Sequence, residues 1–280
     1  TEGGVLERYV TENGTELLVA RVSGDSAEMG RQYGALVGDS ICRIANRLVG
    51  LFTAAGIPEV LVHAFIDGVW KRLAPYTPQR YLDEMEAIAE GAQSAGFNVS
   101  LTDLQRITAV TNLDMYKREE RFLEFIDPEV FAQLDEATRA SLAAMMPGEH
   151  MACTMFAVWG SRTVDGKCFS SRNLDWVSQT GMHEDRLMTA YRPANGHAFV
   201  SMGYAGVMGC LAGMNEKGIS LSEVGAFSVS EGLDGVPWTL LGRWILEESD
   251  ALEEAVKIIQ DAQHTIGYNY LVADGHRRCR

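Results

Sequence analysis

The sequence predicts a layered α+β fold. Three observations carry that reading: helical periodicity through most of the first half, strand-like patterning from Cys153, and a return to helices before a last strand. In chain order, Leu17 to Val22 reads as a short strand, and Gly24-Asp-Ser26 supplies a turn and a helix N-cap. The helix that follows sets Ile41, Ile44 and Leu48 on one face. Pro58 fits just inside a second helix, and Pro78 opens a third that runs toward Ala95 and ends at Gly96. Ser100-Leu-Thr-Asp103 caps a fourth helix, Leu104 to Met115. The charged stretch Lys117 to Glu149, with an amphipathic piece from Pro128 to Met146 closed by Pro147-Gly148, reads as a flexible lead-in to Cys153.

Cys153 to Trp159 is apolar on both alternating faces, which predicts a central strand covered on both sides. Asp165-Gly166 then turns a hairpin into Cys168 to Asn173. Further hairpins are expected from Leu187 to Tyr191 with His197 to Met202, and from Val207 to Ala212 with Ile219 to Val224. Thr239 to Glu248 and Leu252 to Ala262 read as helices, and Tyr268 to Asp274 as a strand. Gly275 to Arg280 is too short to return as a full partner strand, so part of the sheet is expected to lie beyond this sequence. The chain thus divides into a helical N-terminal segment, 1–152, and a catalytic segment, 153–280.

Composition excludes several functions. A formal net charge of -14 argues against binding a phosphate backbone. No apolar run approaches the roughly 18 residues of a membrane span. The five cysteines are scattered and odd in number, and the six histidines form no ligand motif, so neither a disulfide framework, a metal nor another cofactor is indicated. Localisation stays open between the cytoplasm and export after leader removal.

The chemistry centres on Cys153, Arg172 and Asp175, which bring a thiol, a guanidinium and a carboxylate to neighbouring strand ends. A thiol needs a base before it becomes a nucleophile. Cutting the bond between Ala152 and Cys153 would free an α-amino group, with an intrinsic pKa near ~8, on the same residue. Arg172 and Asp175 are three apart and point to opposite faces of a regular strand, so the strand must bend or end near Leu174 for both to serve Cys153.

Cys153-Thr, Asp165-Gly166-Lys, Arg172-Asn-Leu-Asp175-Trp, Gly213-Met-Asn-Glu-Lys-Gly218 and Tyr268-Asn-Tyr-Leu-Val-Ala-Asp274 together resemble the cysteine N-terminal-nucleophile (Ntn) hydrolases. The branch they resemble is the acyl-coenzyme A:6-aminopenicillanic acid acyltransferase-like group, peptidase family C45, related to choloylglycine hydrolases and acid ceramidase. Gly24-Asp-Ser-Ala-Glu-Met-Gly30, with Gln32 and Gly34, is similar to that branch's opening helix. The resemblance implies a four-layer αββα sandwich, autocatalytic cleavage before Cys153, and action on an amide or acyl-thioester substrate. It makes Cys153 the nucleophile, Arg172 and Asp175 its orienting partners, and Asn269 an oxyanion donor. It also implies that the cleaved N-terminal segment stays bound as a heterodimer partner. Where bile-salt hydrolases carry an asparagine after the NEKG-type turn, this chain reads Ser222-Glu-Val-Gly225, and Glu223 is taken as a substrate contact. Trp176, beside Asp175, lines the acyl pocket in this reading, whereas Asn215 reads as a turn residue. Two other functions fit a chain of this pattern: a class II glutamine amidotransferase-like domain, and a non-cleaving, ligand-binding relative of the same fold.

Overall fold

A computed structural model of the chain describes residues 3–54, 56–113, 132, 135–137, 139–140, 153–175, 181–226, 228, 230–275 and 278–279. Ten strands are described. They are β1 (Val5–Val10), β2 (Glu16–Gly24), β3 (Cys153–Val158), β4 (Phe169–Leu174), β5 (Arg186–Pro193), β6 (Phe199–Tyr204), β7 (Ala212–Asn215), β8 (Ile219–Gly225), β9 (Tyr268–Asp274) and β10 (Arg278–Cys279). Eight of them form one sheet in the order β1-β2-β5-β6-β7-β8-β9-β10, and β3 pairs with β4 in a separate two-stranded sheet. Within the large sheet β2 and β5 run parallel, with Leu18 opposite Leu187, and the remaining pairs are antiparallel.

The helices are α1 (Ser26–Ala54), α2 (Glu59–Leu73), α3 (Gln79–Ser94), α4 (Leu101–Thr111), α5 (Trp238–Glu248) and α6 (Leu252–Asp261). Their boundaries follow local chemistry. Pro58 and Pro78 stand at the N-caps of α2 and α3, where a missing N–H costs no helical bond. Ser100 and Asp103 exchange the reciprocal bonds of a capping box at the start of α4. Helix α3 reaches its C-cap at Ala95, and Gly96 follows at φ +89.

Helices α1 and α3 approach so closely that their contact is made by glycine. A Cβ at Gly34 would collide with the Ile88 carbonyl, and one at Gly91 with the Arg31 backbone. The buried apolar residues of the helices and of the large sheet form one core, in which Ile41, Ile88, Leu221 and Ile245 are all buried. Arg243 of α5 sits inside that core. Its Nη1 and Nη2 donate to the two carboxylate oxygens of Glu84 at 2.8 and 2.7 Å, and its Nε donates to Glu247 at 2.7 Å. The Tyr81 hydroxyl donates to the other Glu247 oxygen at 2.7 Å, and the Tyr81, Tyr191 and Phe199 rings surround the guanidinium.

The β3–β4 hairpin lies on the opposite side of the sheet from this core. Ser222 and Ser220, which alternate with core-facing Leu221, meet Met155 of β3 and Ser170 of β4. Where a strand covered on both faces is expected, the described residues cover one: Thr154 and Phe156 of β3 are exposed, and Phe156 retains 60% of its accessible surface. Apolar residues on both faces of Cys153 to Trp159 suggested two covers, but among the described residues only the inner face has one. Strand β7 begins at Ala212, not Val207. Gly206 and Gly209 take φ of +80 and +103, and a Cβ at Gly209 would strike the Thr239 carbonyl, so this stretch is a loop pressed against α5. Strand β1 is an addition to the sequence reading. The expected lead-in over Lys117 to Glu149 falls almost wholly outside the described residues. No single described helix is long and apolar enough to cross a membrane.

Candidate active site

Cys153 opens β3 and lies opposite Leu174, the last residue of β4. Met155, two residues on, lies opposite Arg172. Alternation therefore puts Cys153, Met155, Arg172 and Leu174 on the inner face of the hairpin, toward the large sheet. Strand β4 ends at Leu174, as the spacing of Arg172 and Asp175 requires.

The receiving surface on the large sheet is an open strand edge. Strands β7 and β8 pair from Met214–Ser220 to Ala212–Ser222 and no further, because the chain before Ala212 turns away to α5. Glu223 keeps its β9 partner, Tyr270, but has lost its β7 neighbour. Arg172 fills the gap. Its Nε donates to the Glu223 carbonyl oxygen at 2.6 Å, and its Nη2 donates to the Glu223 carboxylate and approaches Cys153 Sγ at 3.6 Å. The Arg172 and Glu223 side chains are 7% and 3% exposed. Burial pulls the Glu223 carboxyl up to about 7, against the opposing effect of Arg172. Burial likewise raises the Tyr270 phenol, and nearby Glu223 adds to the rise.

The sequence-derived residues are placed as follows. Cys153 and Arg172 come together. Glu223 joins them, but as the buried partner of Arg172 rather than an open substrate contact. Asp175 follows directly after β4, is exposed, and accepts a hydrogen bond from Asn173 Nδ2 at 2.7 Å. Asn269 is exposed near the start of β9, opposite Val224. Val224 and Asn269 share the face that carries Ser220 and Ser222, the face the hairpin covers. The Ser220–Ser170 and Ser222–Met155 contacts step along β8 toward Val224 as the hairpin steps toward Cys153. Asn215 is committed elsewhere: its Nδ2 donates to the carbonyls of Leu246 and Ser249, and its Oδ1 accepts from the amides of Lys217 and Ile219. It is a turn residue with its capacity spent. Ala152 and Trp176 lie outside the described residues.

The Arg172–Glu223 link is what sequence reading missed. The two residues are 51 apart in sequence, and only the early end of β7 brings them together. Cys210 sits in the loop that makes this gap and is fully buried, its thiol pushed up to about 12 chiefly by burial, so it is no rival nucleophile.

Residues 161–280 match the family of acyl-coenzyme A:6-aminopenicillanic acid acyl-transferase. This is the family the sequence resembles, within the Ntn-hydrolase and peptidase C45 superfamily. The matched region takes in Arg172, Asp175, Glu223 and Asn269 and starts after Cys153. An uncharacterized protein of Archaeoglobus fulgidus is 25% identical over 276 residues, which cover 96% of this chain and 43% of the relative. The chain thus spans less than half the length of that relative.

Proposed function

We propose that Cys153 is the nucleophile of an autoprocessed amide (C–N) hydrolase or acyltransferase. The observation that carries the reading is the approach of the buried Arg172 guanidinium to Cys153 Sγ at 3.6 Å, beside the open edge of β8. A guanidinium at that distance can offset the negative charge that gathers on sulfur during attack and departure. The family match supports acyl chemistry at this site.

Maturation and turnover use one sulfur. In maturation Sγ attacks the Ala152 carbonyl carbon, the C–N bond to Cys153 breaks, and the nitrogen takes up the thiol proton. Water then hydrolyses the thioester and releases the Ala152 carboxylate. In turnover the new α-amino group accepts the thiol proton, directly or through a water, and Sγ attacks the substrate carbonyl. The α-ammonium returns the proton to the leaving amine, and water or a second amine takes the acyl group from sulfur. Arg172 stabilises the thiolate, and Glu223 fixes Arg172 through both its carbonyl and its carboxylate. Asp175 holds the ammonium, Asn269 donates to the oxyanion, and Trp176 lines the acyl pocket. Segment 1–152 remains bound to 153–280 after the cut. The reading also assigns an outer helical layer to the exposed Phe156 and Phe169, completing an αββα sandwich.

Mass spectrometry of the incubated chain tests this. Two fragments parted at Ala152/Cys153 are expected, and a single intact species in Cys153→Ala. Incubation with p-nitroanilides of graded acyl chain length, with and without added amine, should leave an acyl group on Cys153 and separate hydrolysis from transfer. A wild-type chain that stays whole and takes up no acyl group overturns the proposal.

A further inference from the structure

The Arg243 cluster has no part in the chemistry above, yet it is the most completely buried charged group described. Arg243 and Glu84 are each 1% exposed, and Glu247 is 7% exposed. Its members fall on both sides of the Ala152/Cys153 bond. Tyr81 and Glu84 belong to α3 of the N-terminal segment, whereas Arg243, Glu247, Tyr191 and Phe199 belong to the catalytic segment. We propose that this cluster is the recognition element by which the catalytic segment selects and keeps α3 of its own N-terminal segment, making residues 1–152 a permanent subunit. The proposal refines the reading in which the chain is cut at Ala152/Cys153.

Other contacts also join the two segments, among them Asp185 with Arg43 and Arg47 of α1, and Asp234 with Arg72 of α2, but these arginines stay 29 to 42% exposed, where water can replace a lost partner. The β2–β5 pairing is made by backbone groups that any strand can offer. Apolar helix faces attract without direction. The Arg243 fork is different, because its two terminal nitrogens meet both oxygens of one carboxylate with each partner only 1% exposed. Without Glu84, Arg243 would keep Glu247 as its partner and leave two N–H groups facing a dry wall of Tyr191 and Phe199. Without Arg243, Glu84 would be a buried carboxylate with no cation, and burial already raises its pKa despite Arg243. A misplaced or foreign helix would therefore strand a charge in the core, at a cost much larger than a lost surface contact. The Tyr81 hydroxyl, which donates to Glu247 across the same boundary, adds a second fixed point one helical turn before Glu84.

The test is release of the N-terminal fragment from the mature protein in rising urea, followed by native mass spectrometry. Arg243→Met and Glu84→Met should each lower the urea midpoint of release by about 1–2 M. The double variant removes both charges of the Arg243–Glu84 pair and leaves Glu247 its Tyr81 hydrogen bond and Arg80 at 3.5 Å, so it should return most of the loss. An unchanged midpoint in both single variants overturns the proposal, as does a double variant whose loss is the sum of the two. If Arg243→Met fails to fold, Glu84→Gln gives the same comparison with less change of shape. A wild-type chain that never cleaves would sink the autoprocessing reading instead. The series then runs on protein cut by a site-specific protease at a sequence introduced just before Ala152, with the same midpoints deciding the matter.

Discussion

Two buried arginines among the described residues pair with buried glutamates, and they are built to different ends. Arg243 is fully engaged with carboxylates: each of its three nitrogens donates to one at 2.7 to 2.8 Å, and aromatic rings flank the group. Arg172 is only partly committed. It gives one bond to a carbonyl and one to a carboxylate, reaches a thiol, and leaves its Nη1 without a hydrogen bond among the described residues. Both arginines are hidden, so burial alone does not mark chemistry. What separates them is the neighbour: a second glutamate in one case, a sulfur at the end of a strand in the other. A guanidinium with bonding capacity left beside a thiol is the arrangement that the proposed chemistry needs.

The contrast can be broken most directly at the sulfur. Cys153→Ala should abolish both cleavage and acyl uptake, read by mass spectrometry; a chain still parted at Ala152/Cys153 would end the comparison. Arg172→Met should lower the rate of acylation by about 10²–10³ and the stability by roughly 3–5 kcal/mol, since Glu223 is then buried without its cation. Arg243→Met should cost a similar 3–5 kcal/mol in chemical denaturation while leaving the pH dependence of acylation where it was. If the two variants damage chemistry equally, the distinction drawn here is wrong.

Glu223 sharpens the comparison further. The folded protein holds its proton up to about 7, whereas an unfolded glutamate releases it near 4.5. The folded state binds the proton more tightly, so this group's contribution makes stability fall as pH rises from 4.5 to 7. Glu223→Gln in the inactive Cys153→Ala background should flatten that part of the slope in urea melts at several pH values. The smallest effect is expected at Asn215. Asn215→Ala should lose about 1–3 kcal/mol from the bonds to Leu246 and Ser249, with acylation of the folded fraction unchanged.

Local rules reached the parts of the fold that local chemistry decides. Pro58, Pro78 and the Ser100–Asp103 box mark helix starts, and alternation alone bounds β9 at Tyr268 and Asp274. Strand β1 escaped because its residues are almost all exposed, and only its pairing with β2 makes it a strand. Val207 to Leu211 misled because an apolar run fits a buried loop as well as a strand; the positive φ of Gly206 and Gly209 breaks it. Within the site, Cys153 and Arg172 were legible from motif spacing on one hairpin. Glu223 was visible as an oddity after the Asn215 turn, but its partner was not, because the open edge of β8 is a property of three strands together.

The parallel joining of β2 to β5 has a consequence for timing. On the ribosome Leu18 emerges long before Leu187, and its place in the sheet does not exist until the later strand has been made. The joining of β2 to β5 is thus among the later contacts to settle, since so distant a pairing forms slowly. Under the proposed self-cleavage, Cys153 would then stay masked through synthesis without any separate inhibitor: the delay is written into strand order.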